Sequence, residues 1–240
     1  MKIVILSTIS KHHTYFINKI IKNFNSTYVI FTKVNLKKKY KVGPFYFKEE
    51  NKFEDNFFKK KENISRKINK KKIIFKNVKN INSKVVEKKI NHLRPDIGIT
   101  FGTQLIKKNI YNLPRFGFIN IHRGLTQFYR GLDSDLWPLL EKRFNRLGVT
   151  IHYIDENYDT GGILSQKKIH LKKKNEIFHL RYITTILATE ILINILNKFN
   201  KKKYKLPSRK LFNRGKYKSS MPIQFKYIAE KNLNNYLKSL

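Results

Sequence analysis

"GFINIHRGLTQFYRG", residues 117–131, is the stretch on which the fold turns. Its first half is an apolar run that carries Asn120 and His122, two residues apart. Its second half opens into a loop with two glycines, Gly124 and Gly131, and two arginines, Arg123 and Arg130. In a strand, residues i and i+2 face the same side. The amide and the imidazole therefore project together from the carboxyl end of a strand whose other residues are apolar. Strands of this kind, continuously apolar rather than merely alternating, belong inside parallel sheets covered by helices.

Working outward, the same pattern recurs. Strands are expected at 2–7, 27–33, 72–78, 96–102, 116–122, 147–155 and 162–171. Helices are expected at 11–24, at 82–93 (capped by Asn82 and Ser83 and stopping before Pro95), at 132–143 around Pro138, and at 175–199. A short helix is expected after the 96–102 strand. Residues 34–71 are Lys-rich and read poorly, with one helix expected near 54–68. The alternation predicts an α/β fold: an open, mostly parallel, Rossmann-like twisted sheet with helices on both faces. Ligands in such sheets bind beyond the carboxyl ends of strands, at a switch in strand order. The first strand-to-helix turn, "STISKHH", has neither a dinucleotide fingerprint nor a P-loop. Residues 1–200 read as one catalytic domain. Residues 201–240 read as a short basic extension with a helix at 225–238, too small for an independent domain.

Composition narrows the classes. With 240 residues, 40% hydrophobic, 18 Phe and 13 Tyr, the chain can bury a core. It holds no apolar run long enough to span a membrane, and "MKIVILSTIS" is too short for a signal sequence. The absence of cysteine excludes disulfides and thiolate chemistry and fits a cytoplasmic enzyme. The net charge of +36 suggests nucleic acid at first sight. Yet ten of the 52 basic residues are Arg, and the lysines form runs scattered over the whole chain. Base readout favours Arg interleaved with aromatics, so the excess reads as a solvated surface and a nucleic-acid partner is not expected. The sixteen acidic residues say more, because six of them fall between Asp133 and Asp159.

Beyond the 147–155 strand the chain breaks into "ENYDTGG", which puts Asp159 on a loop with Gly161 and Gly162. An amide donor and an imidazole can stabilise a developing oxyanion, and a nearby carboxylate can raise the imidazole's pKa and relay a proton. No Ser or Cys stands ready as a nucleophile. The set suits attack by an external amine on an activated carbonyl. A metal hydrolase built on His122, His152 and Asp159 would leave Asn120 without a role and has no HExxH motif, so no metal is expected.

"FINIHRGLTQFYRG" followed by "LGVTIHYIDENYDTGGILSQ" resembles the folate-dependent formyltransferase family. The match rests on Asn-x-His at a strand end, Asp159 37 residues after His122, His152 seven residues before Asp159, and "RPDIGITFGTQLI" upstream. It is good over 94–170 and close to absent in 34–71 and beyond 200. The resemblance implies a catalytic trio of Asn120, His122 and Asp159, with 10-formyltetrahydrofolate as formyl donor. Asn120 and His122 would hold the oxyanion of a tetrahedral intermediate, and Asp159 would assist proton transfer. The pterin would meet Phe101, Gly102 and Leu105 on one side and Ile154, Asp155, Tyr158 and Thr160 on the other.

Where the family carries Ser-Leu-Leu-Pro after the histidine, this chain has Gly124-Leu125-Thr126-Gln127, which bears on the acceptor. The acceptor is expected to be a small phosphate-bearing amine. "STISKHH" is unlike the phosphate loop of glycinamide ribonucleotide enzymes, and residues 201–240 are too few for the C-terminal barrel of methionyl-tRNA enzymes. "FYRG…DLWP" is similar to sugar-modifying members. A nucleotide-linked amino sugar therefore leads, with glycinamide ribonucleotide as the alternative. Arg123 and Arg130 are candidates for substrate phosphate, and Lys11 or His12 for a phosphate at the helix start. His152 reads as support for the trio or as packing, Trp137 as core, and the His12-His13 pair as an exposed helix start. A homodimer is compatible with all of this.

Overall fold

The structure is a computed structural model and describes residues 1–33, 47–60 and 68–240. The chain runs β1 (Ile3–Ser7), α1 (Lys11–Asn23), β2 (Thr27–Thr32), α2 (Phe47–Lys60), β3 (Ile73–Val78), α3 (Lys84–Leu93), β4 (Ile97–Phe101) and α4 (Lys108–Tyr111). It continues with β5 (Phe118–His122), β6 (Tyr129–Gly131), α5 (Trp137–Leu140), β7 (Gly148–Tyr153), β8 (Ile163–Lys168), α6 (His179–Lys202), β9 (Lys216–Lys218) and α7 (Ile223–Lys238).

Seven strands form one sheet in the order β3-β2-β1-β4-β5-β7-β8. The strands from β3 to β5 are parallel, as expected, while β7 runs antiparallel to β5 and β8 antiparallel to β7. The connection from β7 to β8, residues 154–162, contains no helix and is shorter than the dozen or more residues a parallel crossover needs, so these strands form a hairpin.

Alternate residues feed two cores. Ile5, Phe31, Ile99, Ile121 and Ile151 pack with Phe16 and Ile20 of α1 and with Leu196 and Phe199 of α6. Val4, Leu6, Ile30 and Phe118 pack with Val86 and Ile90 of α3 and with Ile110 of α4. Helices thus cover both faces, and each fully buried Ile or Phe contributes on the order of 2 kcal/mol.

Several elements differ from the sequence reading. Helix α2 starts earlier than expected; the end of the expected helix, residues 61–67, lies outside the described residues. Helix α5 is shorter than 132–143 because Asp133 adopts a left-handed conformation (φ 51°) before Pro138 enters the first turn. Strands β6 and β9, three residues each, pair in parallel as a second sheet; segments that short carry no periodic signal. They join residues after 200 to the main body. Helix α7 continues that docking: Asn232 Nδ2 donates to the carbonyls of Leu139 and Leu140 at 3.1 Å, and Tyr236 stacks on Phe144 at 4.0 Å. Trp137 is buried, as its core reading required. No helix among the described residues is long and apolar enough to cross a membrane.

Candidate active site

Sheet register aligns Thr100 of β4, Asn120 of β5 and His152 of β7 in one row, with Leu6 of β1 beyond Thr100. These side chains lie on the α3/α4 face of the sheet, the face to which Leu6 and Phe118 contribute. His122, two residues after Asn120, shares it. The loop at 154–162 returns to this row and sets Asp159 against it. A cleft of about 640 Å³ results, lined by all five of these polar side chains.

Asn120 is held at three points. Its Oδ1 accepts from Thr100 Oγ1 at 2.7 Å, and its Nδ2 faces Asp159 Oδ1 at 3.1 Å and His152 Nε2 at 3.2 Å. His152 Nδ1 lies 2.7 Å from the Tyr153 carbonyl, so that nitrogen carries the proton and Nε2 is left to accept from Asn120. His122 has the opposite tautomer. Its Nε2 donates to the Tyr129 carbonyl at 2.9 Å, and its Nδ1 faces Asp159 Oδ2 at 3.4 Å. Gly124 is required beside it: a Cβ there would stand 2.8 Å from His122 Nε2 and 2.6 Å from Ser134 Cβ.

Asp159 is the hub. Its Oδ1 accepts from Asn120 and lies 3.5 Å from His152 Nε2, while its Oδ2 accepts the Gly131 backbone N–H at 2.8 Å and lies 3.4 Å from His122 Nδ1. Burial works to raise its pKa, but the His122 imidazole, the His152 contact and the Gly131 N–H outweigh it and hold the carboxyl well below the usual range. Burial lowers His122 below its ordinary value, and Asp159 only partly offsets this. The resting site is an ionised carboxylate facing a neutral imidazole. Asp159 sits at φ 52°, a left-handed conformation that Asp tolerates better than most residues.

Phe101, Gly102, Leu105, Ile154 and Tyr158, where the resemblance would set the pterin, line the cleft. Asp155 and Thr160 are not among its lining residues. They face one another, Thr160 Oγ1 donating to Asp155 Oδ1 at 2.6 Å, and the same carboxylate accepts the Asn157 N–H at 3.1 Å. The pair shapes the loop. Arg123 lines the cleft with Nη1 3.3 Å from Asp135 Oδ2. Arg130 instead bridges backbone, donating to the Gly215 carbonyl at 2.7 Å and the Tyr158 carbonyl at 3.0 Å. Lys11 turns away to Asp55 at 2.8 Å.

The His12-His13 pair is not an exposed helix start. Ser10 caps α1 and both rings turn inward, 7% and 6% exposed, His13 packing edge-on to Phe101 at 4.5 Å. Burial pushes His12 well below 6.5 and His13 down to about 3. The sequence reading also missed Thr100, whose signal was its place in the strand before the Asn-x-His strand. It missed Tyr217 as well, which reaches the cleft mouth from β9 and meets the Tyr158 ring at 5.5 Å. No local pattern marked Tyr217. Among the described residues no group of three or more His, Cys, Asp or Glu is placed to hold a metal ion.

The formyl transferase family profile matches residues 1–196. The chain belongs to the formyl transferase family. Among curated relatives of this formyl transferase chain is a methionyl-tRNA formyltransferase from Wolbachia pipientis, 31% identical over 122 residues, covering 50% of this chain and 40% of the relative. Another, from Thermodesulfovibrio yellowstonii, is 32% identical over 48% of this chain and 37% of its own length. The matched part thus spans about 40% of those relatives. A solved sugar N-formyltransferase from Shewanella superposes over 97% of this chain and 87% of its own, with TM-score 0.63 and 16% identity. A formyltransferase from Anoxybacillus kamchatkensis, solved with UDP-4,6-dideoxy-4-formamido-L-AltNAc and tetrahydrofolate, covers 94% of this chain and 97% of its own, with TM-score 0.53 and 19% identity. At these identities the superpositions establish a shared formyltransferase fold.

Proposed function

We propose that the protein transfers a formyl group from 10-formyltetrahydrofolate to the primary amine of a nucleotide-linked amino sugar. The observation that carries this is the Asn120–His122–Asp159 constellation, brought together from β5 and the loop after β7 in a cleft. The walls suit a folate: Phe101, Leu105, Ile106 and Ile154 offer apolar surface to a flat ring, and Gly102, at φ 67°, leaves backbone uncovered at its rim. When bound, the folate supplies an electrophilic formyl carbon and a leaving amine.

The chain's own residues do the rest. Asn120 Nδ2, now shared between Asp159 and His152, gives up one of these contacts to donate to the formyl oxygen. One such preorganised donor is worth about 10²–10³ in rate. Asp159 holds the His122 ring by charge and favours its protonated form as negative charge builds on that oxygen. Thr100 and the Gly131 N–H keep Asn120 and Asp159 from turning. Loss of the donor contact, the imidazole or the carboxylate therefore disables the same step.

The sugar acceptor is supported by the superposition on sugar N-formyltransferases over nearly the whole chain. A second reading, methionyl-tRNA as acceptor, is favoured by the curated relatives and by residues 201–218, which carry nine Lys and Arg and no acidic residue beside exposed Tyr204, Phe212 and Tyr217. Tetrahydrofolate release, followed with nucleotide-linked amino sugars, glycinamide ribonucleotide and methionyl-tRNA, separates them. Turnover with an amino sugar and none with the other two is expected. Turnover with methionyl-tRNA alone overturns the sugar reading, and none with any acceptor overturns formyl transfer.

A further inference from the structure

Tyr217 lines the cleft, yet the transfer chemistry gives it no task. Of the large apolar side chains that stand exposed among the described residues, Tyr158 and Tyr217 line the cleft, 44% and 50% exposed. Two neighbouring rings left open at a cleft mark surface kept for a ligand. Sheet register pairs Tyr217 of β9 with Arg130 of β6, so both side chains leave the small sheet on one face. The Arg130 guanidinium then fixes both tyrosines through their backbone. It donates to the Tyr158 carbonyl at 3.0 Å and to the carbonyl of Gly215, two residues before Tyr217, at 2.7 Å. Rings held in this way lose little further freedom when a ligand meets them.

Position narrows what the ligand is. The Tyr217 ring rests on Gly131, where a Cβ would stand 2.9 Å from Tyr217 Cε2 and 3.2 Å from its Cδ2. Gly131 in turn gives its N–H to Asp159 at 2.8 Å. The ring is thus one residue removed from the hub at which the amine is formylated, and whatever carries that amine passes beside it. In a nucleotide-linked amino sugar that group is the hexose, while the base lies farther off, beyond the diphosphate. The Tyr158 and Tyr217 centroids are 5.5 Å apart at 42°. A flat group slipping between them needs about 7 Å, two contact distances of about 3.5 Å, so the ligand lies against Tyr217 and Tyr158 braces it from the side. Place in the chain agrees: the family profile ends at residue 196, and β9 lies beyond it. Methionyl-tRNA and sugar formyltransferases are named for different acceptors of the same group, so a cleft residue outside the shared segment answers to the acceptor.

We propose that the Tyr217 ring is the platform on which the hexose of the acceptor stacks, with Tyr158 bracing it. This rests on the amino-sugar reading. The C–H groups on one face of a pyranose carry partial positive charge from their oxygen neighbours and sit well against the negative face of an aromatic ring. Such a stack holds a rigid ring at a fixed tilt and so aims its amine at the formyl carbon. A freely rotating chain such as a methionyl group gains less from it.

The surroundings suit a hexose followed by phosphates. Partial burial, with Tyr158 and Asp159 behind it, raises the Tyr217 phenol above its ordinary value, so its hydroxyl stays a neutral donor for a sugar oxygen. Residues 201–218, which carry this tyrosine, hold nine Lys and Arg and no acidic residue, a field that draws in the anionic end of the acceptor.

The test follows tetrahydrofolate release by the full chain and its Tyr217→Ala and Tyr217→Phe variants. The acceptors are UDP-4-amino-4,6-dideoxy-L-AltNAc and the base-free 1-phosphate of the same amino sugar. In Tyr217→Ala, KM is expected to rise roughly 5- to 10-fold for both acceptors, while Tyr217→Phe, which keeps the ring, stays much nearer the wild type. A penalty that vanishes with the 1-phosphate gives the ring to the base. An equal loss of tetrahydrofolate affinity, read by calorimetry, gives it to the folate. A fall in kcat at unchanged KM leaves the ring only seating Gly131. Each of these results overturns the platform and leaves formyl transfer standing. Formylation of methionyl-tRNA by the wild type, with neither sugar turned over, overturns the amino-sugar reading and the platform with it. No turnover of any amine overturns formyl transfer itself.

Discussion

Asp159→Asn removes one charge and almost no volume, so its effect isolates the hydrogen-bonding and charge of the hub. The left-handed backbone at φ 52° suits Asn as well as Asp, and strain does not enter. Hydrogen bonding does. Oδ1 faces the Asn120 amide and Oδ2 the Gly131 N–H, both donors. An Asn has one oxygen and one NH₂, so either orientation sets a donor against a donor in a buried site. One charge-assisted bond is lost and one donor is stranded, a cost of about 2–3 kcal/mol. For a chain of this size that is a Tm fall on the order of 5–10 °C at pH 7.

The pH dependence has a definite sign. A carboxyl whose folded pKa lies below its unfolded 3.8 stabilises the fold above that value and loses the contribution as pH falls toward the folded one. The gap between wild type and Asp159→Asn, read by urea denaturation, is therefore widest near neutrality and narrows below about pH 4. Formyl transfer should drop by about 10³-fold or more, because orientation and charge at His122 go together. An Asp159→Asn protein with wild-type stability at pH 7, or with a gap independent of pH, would refute the hub.

Three other perturbations probe the same geometry. Asn120→Asp places a second carboxylate about 3.1 Å from Asp159; activity should vanish, and the loss of stability, measured by thermal melting, should ease as pH falls and one of the pair takes a proton. Arg130→Ala frees the Gly215 and Tyr158 carbonyls and should cost about 2 kcal/mol and speed proteolysis after residue 200, read by limited trypsin digestion. Gly102→Ala meets a φ of 67° and the His13 ring at 2.8 Å; it should cost about 1–2 kcal/mol and weaken tetrahydrofolate binding, measured by calorimetry, more than it raises the acceptor KM.

The features legible in the chain alone were local and periodic. Apolar runs marked the seven strands of the main sheet to within a few residues: β1, β2, β4, β5 and β7 are almost wholly buried, and the edge strands β3 and β8 keep apolar starts before running out into exposed Lys76 and Lys167. Period two put Asn120 and His122 on one side, and their spacing to Asp159 marked the three residues that the structure brings together. Whatever depended on distant segments meeting was closed to that reading. The antiparallel edge of the sheet results from a hairpin too short to cross over, not from the composition of β8. His12 and His13 look like a polar helix start until Phe101 and α2 pack over them. Arg130 looks like a phosphate ligand until Gly215, 85 residues away, claims its guanidinium. Tyr217 lies where no motif runs, and only the docking of β9 on β6 carries it to the cleft. Strand periodicity records which face a side chain takes; which neighbour it meets there is settled by contacts between residues far apart in the chain, and those leave no local trace.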